Sequence, residues 1–357
     1  MKEVLIMVNK NIRDPYIILF LNSIFKTNYK IILPKEFPSF LPFFKICRSA
    51  KSDLIHIQWI HLFTGARVRN PLIKLLRLLN FIIDVYLIKY LLQKKIVWTI
   101  HNLHTHEYTN LFLDKISRKF LSKKANAVIC HGKSAKKEII KEYKLTSKKI
   151  HTITYGNQFD VYKNEISKEN ARKILNLNRD DLVFCFFGRI RPYKGLDELI
   201  NNFKALKKSN NIKLLIVGNP LNNGIKRHLI NISKGEKTII FKFGFIPYND
   251  VQIYLNASDI LVTSFKTILT SGIVISGMTF GKPIIAPRLG CIIDYLDDNG
   301  AFLYNPQEKN GLLKALQKAL KNKEFLPKMG NYNFTLAEKL DWKVVGKEIV
   351  KIYDYFT

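Results

Sequence analysis

The chain has 357 residues, 47% of them hydrophobic, and its 58 basic residues outnumber 28 acidic ones to give a net charge of +30. This length and apolar content are sufficient for two domains with buried cores. The four cysteines form no CxxC pair, which excludes a disulfide framework and a zinc-binding pattern and fits a reducing compartment. The N-terminus turns polar after about six residues, which indicates a buried strand and not a signal peptide.

Short apolar runs alternate with helical patterns in two successive series. The predicted strands of the first series are 4–8, 54–57, 96–100 and 127–130, and a helix is predicted over 17–25. The predicted strands of the second series are 183–187, 214–217, 238–241, 260–262 and 283–286. This alternation is typical of α/β folds with doubly wound parallel sheets, and two series predict two Rossmann-like domains.

The polar stretch 157–173 marks the expected join between the domains. We expect a first domain over residues 1–160, a second over 161–340, and a C-terminal helix in 341–357 that crosses back to the first. Residues 1–150 carry 28 basic and 9 acidic side chains, a net charge of +19. Such a surplus predicts an anionic surface partner for the first domain, although a genome bias toward Lys, Ile and Asn could account for part of it.

A glycine- and cation-rich stretch, GRIRPYKG at 188–195, separates a predicted strand from a predicted helix. Ligands of open parallel sheets bind at the carboxyl ends of the strands. Glycine lets backbone approach a ligand, a helix start offers unpaired N–H groups, and arginine and lysine bind phosphate oxygens. The arrangement predicts a diphosphate-binding site, the alternative being a surface loop with solvated cations.

This stretch resembles the signature of family 4 glycosyltransferases, which are nucleotide-sugar-dependent enzymes of the GT-B fold. The resemblance extends over IVGNP at 216–220 and over segments 243–265 and 271–287. In the first half, DLIHIQWIH, TIHNLHTHE and AVICHGKSAKKEI resemble a polysaccharide-building branch of the family. The resemblance implies two domains facing a central cleft, with the acceptor bound by the first and the donor by the second. It further implies sugar transfer from a UDP- or GDP-sugar to a glycan or polyprenyl-diphosphate-linked acceptor, with retained configuration, in surface polysaccharide biosynthesis.

The resemblance also implies roles for individual residues. Arg189 and Lys194 would hold the donor diphosphate and stabilise charge on the leaving nucleotide, and His101 would contact the donor sugar. These three form the expected catalytic set. The expected donor-binding residues are Gly188, Gly218, Phe245, Ile246, Thr270, Ser271, Gly272 and Ser276.

The sequence departs from the family at a pair of glutamates. Aligned on GKP at 281–283, the two glutamate positions hold Ile268 and Ser276, and neither supplies a carboxylate. A serine hydrogen-bonds a ribose hydroxyl more weakly than a charged acceptor does. The alternatives therefore include an inverting GT-B transferase, a nucleotide-sugar epimerase and an inactive homologue.

The expected acceptor-binding residues are Trp59, His106 and Glu107. Trp59 could stack on a sugar or belong to the core, and His106 and Glu107 could orient the acceptor hydroxyl or accept its proton. The histidines of HNLHTHE have loop-like spacing without the i, i+4 pairing of a helical zinc motif. We therefore expect no metal and no cofactor beyond the donor.

The apolar segment 71–92 is interrupted by four charged residues, Lys74, Arg77, Asp84 and Lys89, so a transmembrane helix is not expected. It is either a buried domain helix or a helix lying in the lipid headgroup region. Five cations on the next predicted helix would enlarge its basic face: Lys115, Arg118, Lys119, Lys123 and Lys124. We expect a cytoplasmic protein in peripheral contact with the inner face of the plasma membrane.

Nucleic-acid binding is the competing class for so basic a chain. The sequence contains no zinc finger, no RNP-like aromatic motif and no disordered basic tail. Its basic residues lie mostly in the predicted helices of an α/β enzyme. We therefore expect no nucleic-acid partner.

Overall fold

The computed structural model describes residues 2–8, 14–61, 63–64, 68, 70–105, 111–206 and 211–357. The chain divides into two compact units, which are Met1–Tyr155 with Trp342–Thr357 (unit 1) and Gly156–Asp341 (unit 2). Each unit contains a parallel six-stranded sheet with helices between successive strands. The predicted α/β class with two doubly wound parallel sheets is confirmed.

The sheet of unit 1 has the strand order β2-β1-β3-β4-β5-β6. Its strands are β1 (Lys2–Met7), β2 (Tyr29–Ile32), β3 (Leu54–Ile57), β4 (Lys95–Thr99), β5 (Ala127–Cys130) and β6 (Ile150–Thr152). Its helices up to this point of the chain are α1 (Pro15–Phe25), α2 (Pro42–Ser49), α3 (Pro71–Tyr86), α4 (Leu111–Lys124) and α5 (Lys133–Tyr143). Every residue of β3 and β5 is buried, as expected for central parallel strands covered on both faces.

The sheet of unit 2 has the strand order β12-β11-β10-β7-β8-β9. Its strands are β7 (Leu182–Phe187), β8 (Ile212–Gly218), β9 (Ile239–Phe243), β10 (Ile260–Val262), β11 (Ile284–Pro287) and β12 (Ala301–Tyr304). Its helices are α6 (Lys168–Leu175), α7 (Leu196–Lys204), α8 (Asn223–Ile232), α9 (Val251–Ala257), α10 (Gly272–Thr279), α11 (Ile292–Tyr295), α12 (Gly311–Lys321) and α13 (Leu326–Glu338). Its core includes Phe184, Leu199, Phe203 and Leu316, which join β7 to α7 and α12.

The C-terminal helix α14 (Trp342–Asp354) belongs to unit 1 and packs on α1. A glycine permits the close approach, since a Cβ atom on Gly346 would lie 2.7 Å from the carbonyl oxygen of Ser23. Tyr353 is fully buried and its hydroxyl forms a 2.5 Å hydrogen bond with Nδ1 of His56 on β3. The last helix of the chain is therefore part of the core around the first strands.

The helix α3 has a conventional start and an irregular end. Asn70 caps it, because its side-chain oxygen accepts from the N–H of Leu72 at 2.9 Å, and Pro71 occupies the first turn. A π-helical turn, Leu87–Leu91, follows it. Among the helices of the described residues, none has the combination of length and apolar content needed to cross a membrane.

Candidate functional site

The predicted diphosphate-binding stretch connects β7 to α7. It makes two close backbone contacts with neighbouring segments of the chain. Gly188 and Gly218 end β7 and β8 with φ of +119° and +141°, and a Cβ atom on Gly218 would lie 1.9 Å from the Gly188 carbonyl oxygen. Gly195, with φ of +66°, lies similarly close to the loop that follows β10, because its Cβ atom would lie 2.1 Å from the Ser264 carbonyl oxygen. Glycine is therefore required where these strand ends meet.

Lys194 is buried at the centre of this arrangement. A Cβ atom on Gly188 would lie 3.1 Å from Nζ of Lys194, so the ammonium group lies beside the end of β7. The same nitrogen lies 5.7 Å from the ring centre of Phe186 and 5.8 Å from that of Phe265. Its backbone carbonyl accepts from Oγ of Ser264 at 2.8 Å. The structure thus holds this cation in a defined position between aromatic rings.

Arg189 has a different environment from Lys194. Its side chain is exposed, and within the part of the chain that the structure describes its guanidinium group has no hydrogen-bonding or ion-pair partner. Arg191 instead donates to the backbone carbonyls of Ile190 and Asn219, at 2.9 and 3.1 Å. Arg189 is therefore available to an anionic ligand, whereas Arg191 stabilises the loop through its hydrogen bonds to the backbone.

The loop after β10 leads to the start of α10, where Thr270, Ser271 and Gly272 lie together. Ser271 caps this helix, because its side-chain oxygen accepts from the Val274 N–H at 3.4 Å. Thr270 is half-buried, with Oγ1 3.8 Å from Sγ of Cys291. The loop is tied to the glycine-rich stretch, since the Lys266 N–H donates to the Tyr193 carbonyl at 2.8 Å. The first turn of α10 and the Lys194 loop therefore belong to one region of unit 2.

Two of the predicted donor-binding residues, Phe245 and Ile246, follow β9. Phe245 is 62% exposed and Ile246 is half-buried. The preceding Gly244 donates its N–H to the carbonyl oxygen of Gly218 at 3.1 Å, which connects this segment to the end of β8. The segment is therefore placed beside the predicted diphosphate-binding stretch.

Ser276, at one of the missing glutamate positions, is buried within α10. Its hydroxyl donates to the side-chain oxygen of Gln158 and also lies 3.0 Å from the Gly272 carbonyl oxygen. Gln158 is further bound through its backbone N–H, which donates to Oγ1 of Thr279 at 3.2 Å. Ile268, at the other position, is half-buried in the loop before α10. A ribose contact by Ser276 stays a prediction. In this structure its hydroxyl forms a hydrogen bond with Gln158 inside unit 2.

In unit 1, His101 lies two residues after the end of β4 and is buried. Its ring stacks on Trp59, with centroids 4.9 Å apart and planes at 28°, and Tyr16 meets it edge-on at 4.8 Å. Nε2 lies 2.9 Å from Oε1 of Gln58. Burial, together with the neighbouring His131 and His56, lowers the pKa of His101 well below its usual value. His101 is therefore neutral at pH 7, and because an amide oxygen only accepts, Nε2 carries its proton.

A buried hydrogen-bonded group around His101 was not predicted from the sequence. Nε2 of His56 lies 2.7 Å from Oγ1 of Thr99 and 3.4 Å from Nε2 of Gln58, and Nδ1 of His131 lies 3.1 Å from the Ile153 carbonyl oxygen. Burial lowers the pKa of His56 to about 3 and that of His131 to about 4. The available signal was the presence of histidine and glutamine in otherwise apolar strand segments, LIHIQ and AVICH.

The remaining predicted acceptor residues, His106 and Glu107, lie outside the described residues. Among the described residues of unit 1, Lys115 pairs with Glu142 at 2.8 Å, and His104 lies 3.9 Å from the same carboxylate. Throughout the described ranges, no group of three or more His, Cys, Asp or Glu side chains is arranged to hold a metal ion.

The helix α3 has an unusual distribution of side chains. Two of its three charged residues, Lys74 and Asp84, are buried, whereas Arg77 is exposed. The Asp84 carboxylate accepts from the N–H groups of Phe43 and Phe44 at 3.1 and 2.7 Å. Seven large hydrophobic residues are instead exposed: Leu72, Ile73, Leu75, Leu76, Leu79, Ile83 and Tyr86. The helix is therefore neither fully buried nor polar on its outer face.

One residue expected on the basic face beside α3 does not lie there. Arg118 is buried, and its Nε donates to Asp114 at 2.9 Å while a second nitrogen donates to the Asn102 carbonyl at 2.8 Å. Lys123 is exposed, and Nζ of Lys124 lies 4.4 Å from the ring centre of Tyr86. The cations that α4 contributes to the basic face are thus lysines, and Arg118 is excluded because Asp114 neutralises it in the interior.

Comparisons with known proteins show what the chain is similar to. Residues 167–335 match the family described as Glycosyl transferases group 1. An uncharacterized glycosyltransferase of Methanocaldococcus jannaschii is 26% identical over 68% of this chain and 62% of its own length. The lipopolysaccharide 1,2-N-acetylglucosaminetransferase of Salmonella typhimurium is 28% identical over 51% of this chain and 50% of its own. The chain thus spans about half to three-fifths of the length of these curated relatives.

A solved structure is similar over nearly the whole chain. The crystal structure of HepE from Anabaena, in complex with UDP and glucose, has a TM-score of 0.76 with 14% sequence identity. The match covers 99% of this chain and 100% of that one. This likeness supports the two parallel sheets of the GT-B fold. The chain has the GT-B fold, and residues 167–335 of unit 2 are similar to the group 1 glycosyl transferases.

Proposed function

We propose that the chain transfers a sugar from a nucleoside diphosphate donor, bound by unit 2, to a glycan or lipid-linked saccharide acceptor, bound by unit 1. The observation that carries this proposal is the ammonium group of Lys194, held beside Gly188 at the end of β7. The exposed Arg189 and the first turn of α10 offer further positive charge in the same unit. The group 1 family match over unit 2 supports the assignment.

The reaction breaks the bond between the anomeric carbon and a diphosphate oxygen, and it forms a bond from that carbon to the acceptor hydroxyl oxygen. Negative charge grows on the departing diphosphate, where fixed cations stabilise the transition state more than the ground state. We assign this stabilisation to Lys194 and Arg189. Backbone N–H groups of Thr270, Ser271 and Gly272 bind the phosphates or the transferred sugar. The proton of the acceptor hydroxyl passes to a general base, for which His106 and Glu107 are the candidates.

We assign His101 a contact with the transferred sugar. Because Nε2 donates to Gln58, Nδ1 is left as the hydrogen-bond acceptor of the neutral ring. A sugar hydroxyl could donate to this nitrogen without any change in protonation. Trp59, which stacks on His101, is assigned to the acceptor side.

The donor is proposed to be a UDP- or GDP-sugar whose base faces the backbone of Phe245 and Ile246. The presence of UDP and glucose in the HepE complex supports this class of donor. We propose that no metal is needed, since the two cations take its charge-neutralising role. Retention of configuration is proposed from the family, and the anomer of the product would test it.

The acceptor is proposed to belong to surface polysaccharide biosynthesis. The name of the Salmonella relative, a lipopolysaccharide transferase, supports this setting. An acceptor carried on a polyprenyl diphosphate would place the reaction at the inner face of the plasma membrane.

The test of the donor site is thermal stabilisation by a panel of UDP-, GDP-, ADP- and TDP-sugars without added metal. We expect one nucleotide to stabilise the wild type and to have little effect on Arg189→Ala or Lys194→Ala. The matched control is Arg179→Ala, which removes an exposed arginine that precedes β7 at its other end. Absence of stabilisation by every nucleotide in a folded wild type would contradict the proposal.

Peripheral membrane contact is proposed through the exposed face of α3. Leu72 and Leu76 on this face are 65% and 57% exposed, and Nζ of Lys124 lies 4.4 Å from the ring centre of the exposed Tyr86 on the same helix. Exposed leucines can enter the headgroup region while lysines pair with anionic lipid. We commit to an anionic lipid surface as the occupant because the neighbouring charge is basic.

Vesicle flotation tests this contact. We expect the wild type to float with phosphatidylglycerol vesicles at low salt and not with phosphatidylcholine vesicles. Leu76→Glu should lose flotation, whereas Leu221→Glu, a change of another exposed leucine in unit 2, should keep it. Equal flotation of both variants would overturn the assignment to α3.

A further inference from the structure

Unit 1 contains a groove along its edge strand β6, separate from the donor- and acceptor-binding residues assigned above. The groove has a volume of ≈ 1100 Å³ and is bounded by α14 and by the ends of α4 and α5. Its wall includes six lysines, which we call the lysine groove: Lys89, Lys123, Lys136, Lys148, Lys149 and Lys351. None of the donor- or acceptor-binding residues proposed above lines it.

The lysines lack compensating negative charge. Glu348 is the one carboxylate in the wall, and within the described ranges none of the six ammonium groups forms an ion pair. Lys149 and Lys89 donate to the backbone carbonyls of Lys123 and Lys124, at the end of α4. The negative end of a helix dipole explains these two contacts but not the other four lysines.

Mutual repulsion is evident at the most enclosed of these groups. Lys149 is half-buried, and burial together with the charge on Lys89 lowers its pKa to about 8. Lys136 likewise contributes, after burial, to the lowered pKa of His151 in the same wall. Cations that converge without a counter-charge destabilise the fold, and a bound anion would relieve this cost.

We propose that the lysine groove binds a polyanion carrying phosphate groups. Six point charges around one concave surface suit several phosphate oxygens distributed in space, and lysine binds phosphate without a fixed geometry. An acidic peptide added as a further strand is less suitable, since β6 offers three residues for pairing. The phosphates belong either to a soluble molecule or to lipid headgroups.

The test uses the full chain with two probes, inorganic tripolyphosphate in calorimetry and phosphatidylglycerol vesicles in flotation. The variant is Lys148→Gln with Lys351→Gln, both exposed lysines of the groove. The matched control is Lys26→Gln with Lys51→Gln, which removes the same charge from exposed positions that precede β2 and β3. Thermal melting confirms that both double variants are folded.

We expect the groove variant to weaken tripolyphosphate binding by about tenfold or more, equivalent to about 1.4 kcal/mol, with the control pair close to wild type. Binding should also weaken as salt rises. If only the vesicles respond to the groove variant, the phosphates are those of lipid headgroups and the proposal holds. Failure of the wild type to bind either probe, or equal losses in both double variants, would overturn it. Donor stabilisation should persist in the groove variant, which separates this proposal from the proposed activity.

Discussion

The two units bring their predicted ligand-contacting residues together in different ways at the carboxyl ends of their strands. In unit 2, residues from one contiguous stretch, Gly188 to Gly195, bring backbone and cations together, and two of its glycines adopt positive φ. In unit 1, His101 depends on residues from other strands and from the last helix, such as Gln58, His56 and Tyr353. A contiguous turn can be recognised in a sequence, whereas a group assembled from distant segments cannot.

The largest expected effect concerns the backbone contact in unit 2. Gly218→Ala would place Cβ 1.9 Å from the Gly188 carbonyl oxygen and should destabilise unit 2 by about 4 kcal/mol or more. Gly244→Ala is the matched control, because its φ of +138° is similar but no atom lies within 4 Å of its Cβ position. Gly244→Ala should lower the free energy of unfolding by about 1–2 kcal/mol through backbone strain alone. Urea unfolding measures both, and equal losses would contradict the steric explanation.

A second large effect is expected on turnover. Lys194→Met keeps the apolar stem between Phe186 and Phe265 and removes only the charge. We expect kcat to fall by about 10²–10³-fold, as for removal of a group that stabilises transition-state charge. Arg179→Ala should leave kcat unchanged. A rise in KM alone would indicate that Lys194 binds donor and transition state equally.

The units should also differ in their response to acid. Unit 1 contains seven of the eight histidines, while unit 2 contains the exposed His228. Because the folded-state pKa values of His56 and His131 are lowered to about 3 and about 4, their unfolded forms take up protons first below pH 6.5. Each of these histidines therefore contributes to the free energy of unfolding above pH 6.5. This contribution decreases as pH falls, by about 1–2 kcal/mol per histidine at pH 5.

Asp84 acts in the opposite sense in unit 1. Burial raises its folded-state pKa to about 6, so acid favours the folded state at this one group. Hydrogen exchange at pH 7 and pH 5, corrected for intrinsic rates, should show the net loss of protection in unit 1 and little change in unit 2. His228→Ala should not alter the result. Equal losses in both units would refute the assignment of acid sensitivity to the buried histidines.

The smallest expected effect concerns Ser276. Its hydroxyl contacts Gln158 inside unit 2, so Ser276→Ala should lower stability by about 1 kcal/mol. The control is Ser271→Ala, which removes a helix cap and should cost a similar amount. A raised donor KM without loss of stability in Ser276→Ala would instead support the predicted ribose contact.

The sequence by itself determined the class of fold and the cation-rich turn. The central strands β5 and β7 are continuous apolar runs because parallel sheets cover both of their faces, so they were predicted. The turn at 188–195 was predicted because its glycines, proline and cations lie next to one another between a strand and a helix.

Three strands, β2, β6 and β12, were not predicted, and all of them are at sheet edges. They have three or four residues each, and β2 and β6 are only partly buried. An edge strand pairs on one side, so its short apolar run is a weak signal. The lysine groove lies along β6, which was not predicted, and the sequence therefore did not indicate the groove.

Only the tertiary structure decided which face of α3 is exposed and which residues surround His101. Lys74 and Asp84 of α3 lie inside and four of its leucines lie outside, because Asp84 caps α2 through the N–H groups of Phe43 and Phe44. The bond between His56 and Tyr353 joins residues 297 positions apart. The periodicity of a sequence predicts which residues share a face of one helix or strand. Contacts between residues hundreds of positions apart form only when the chain packs.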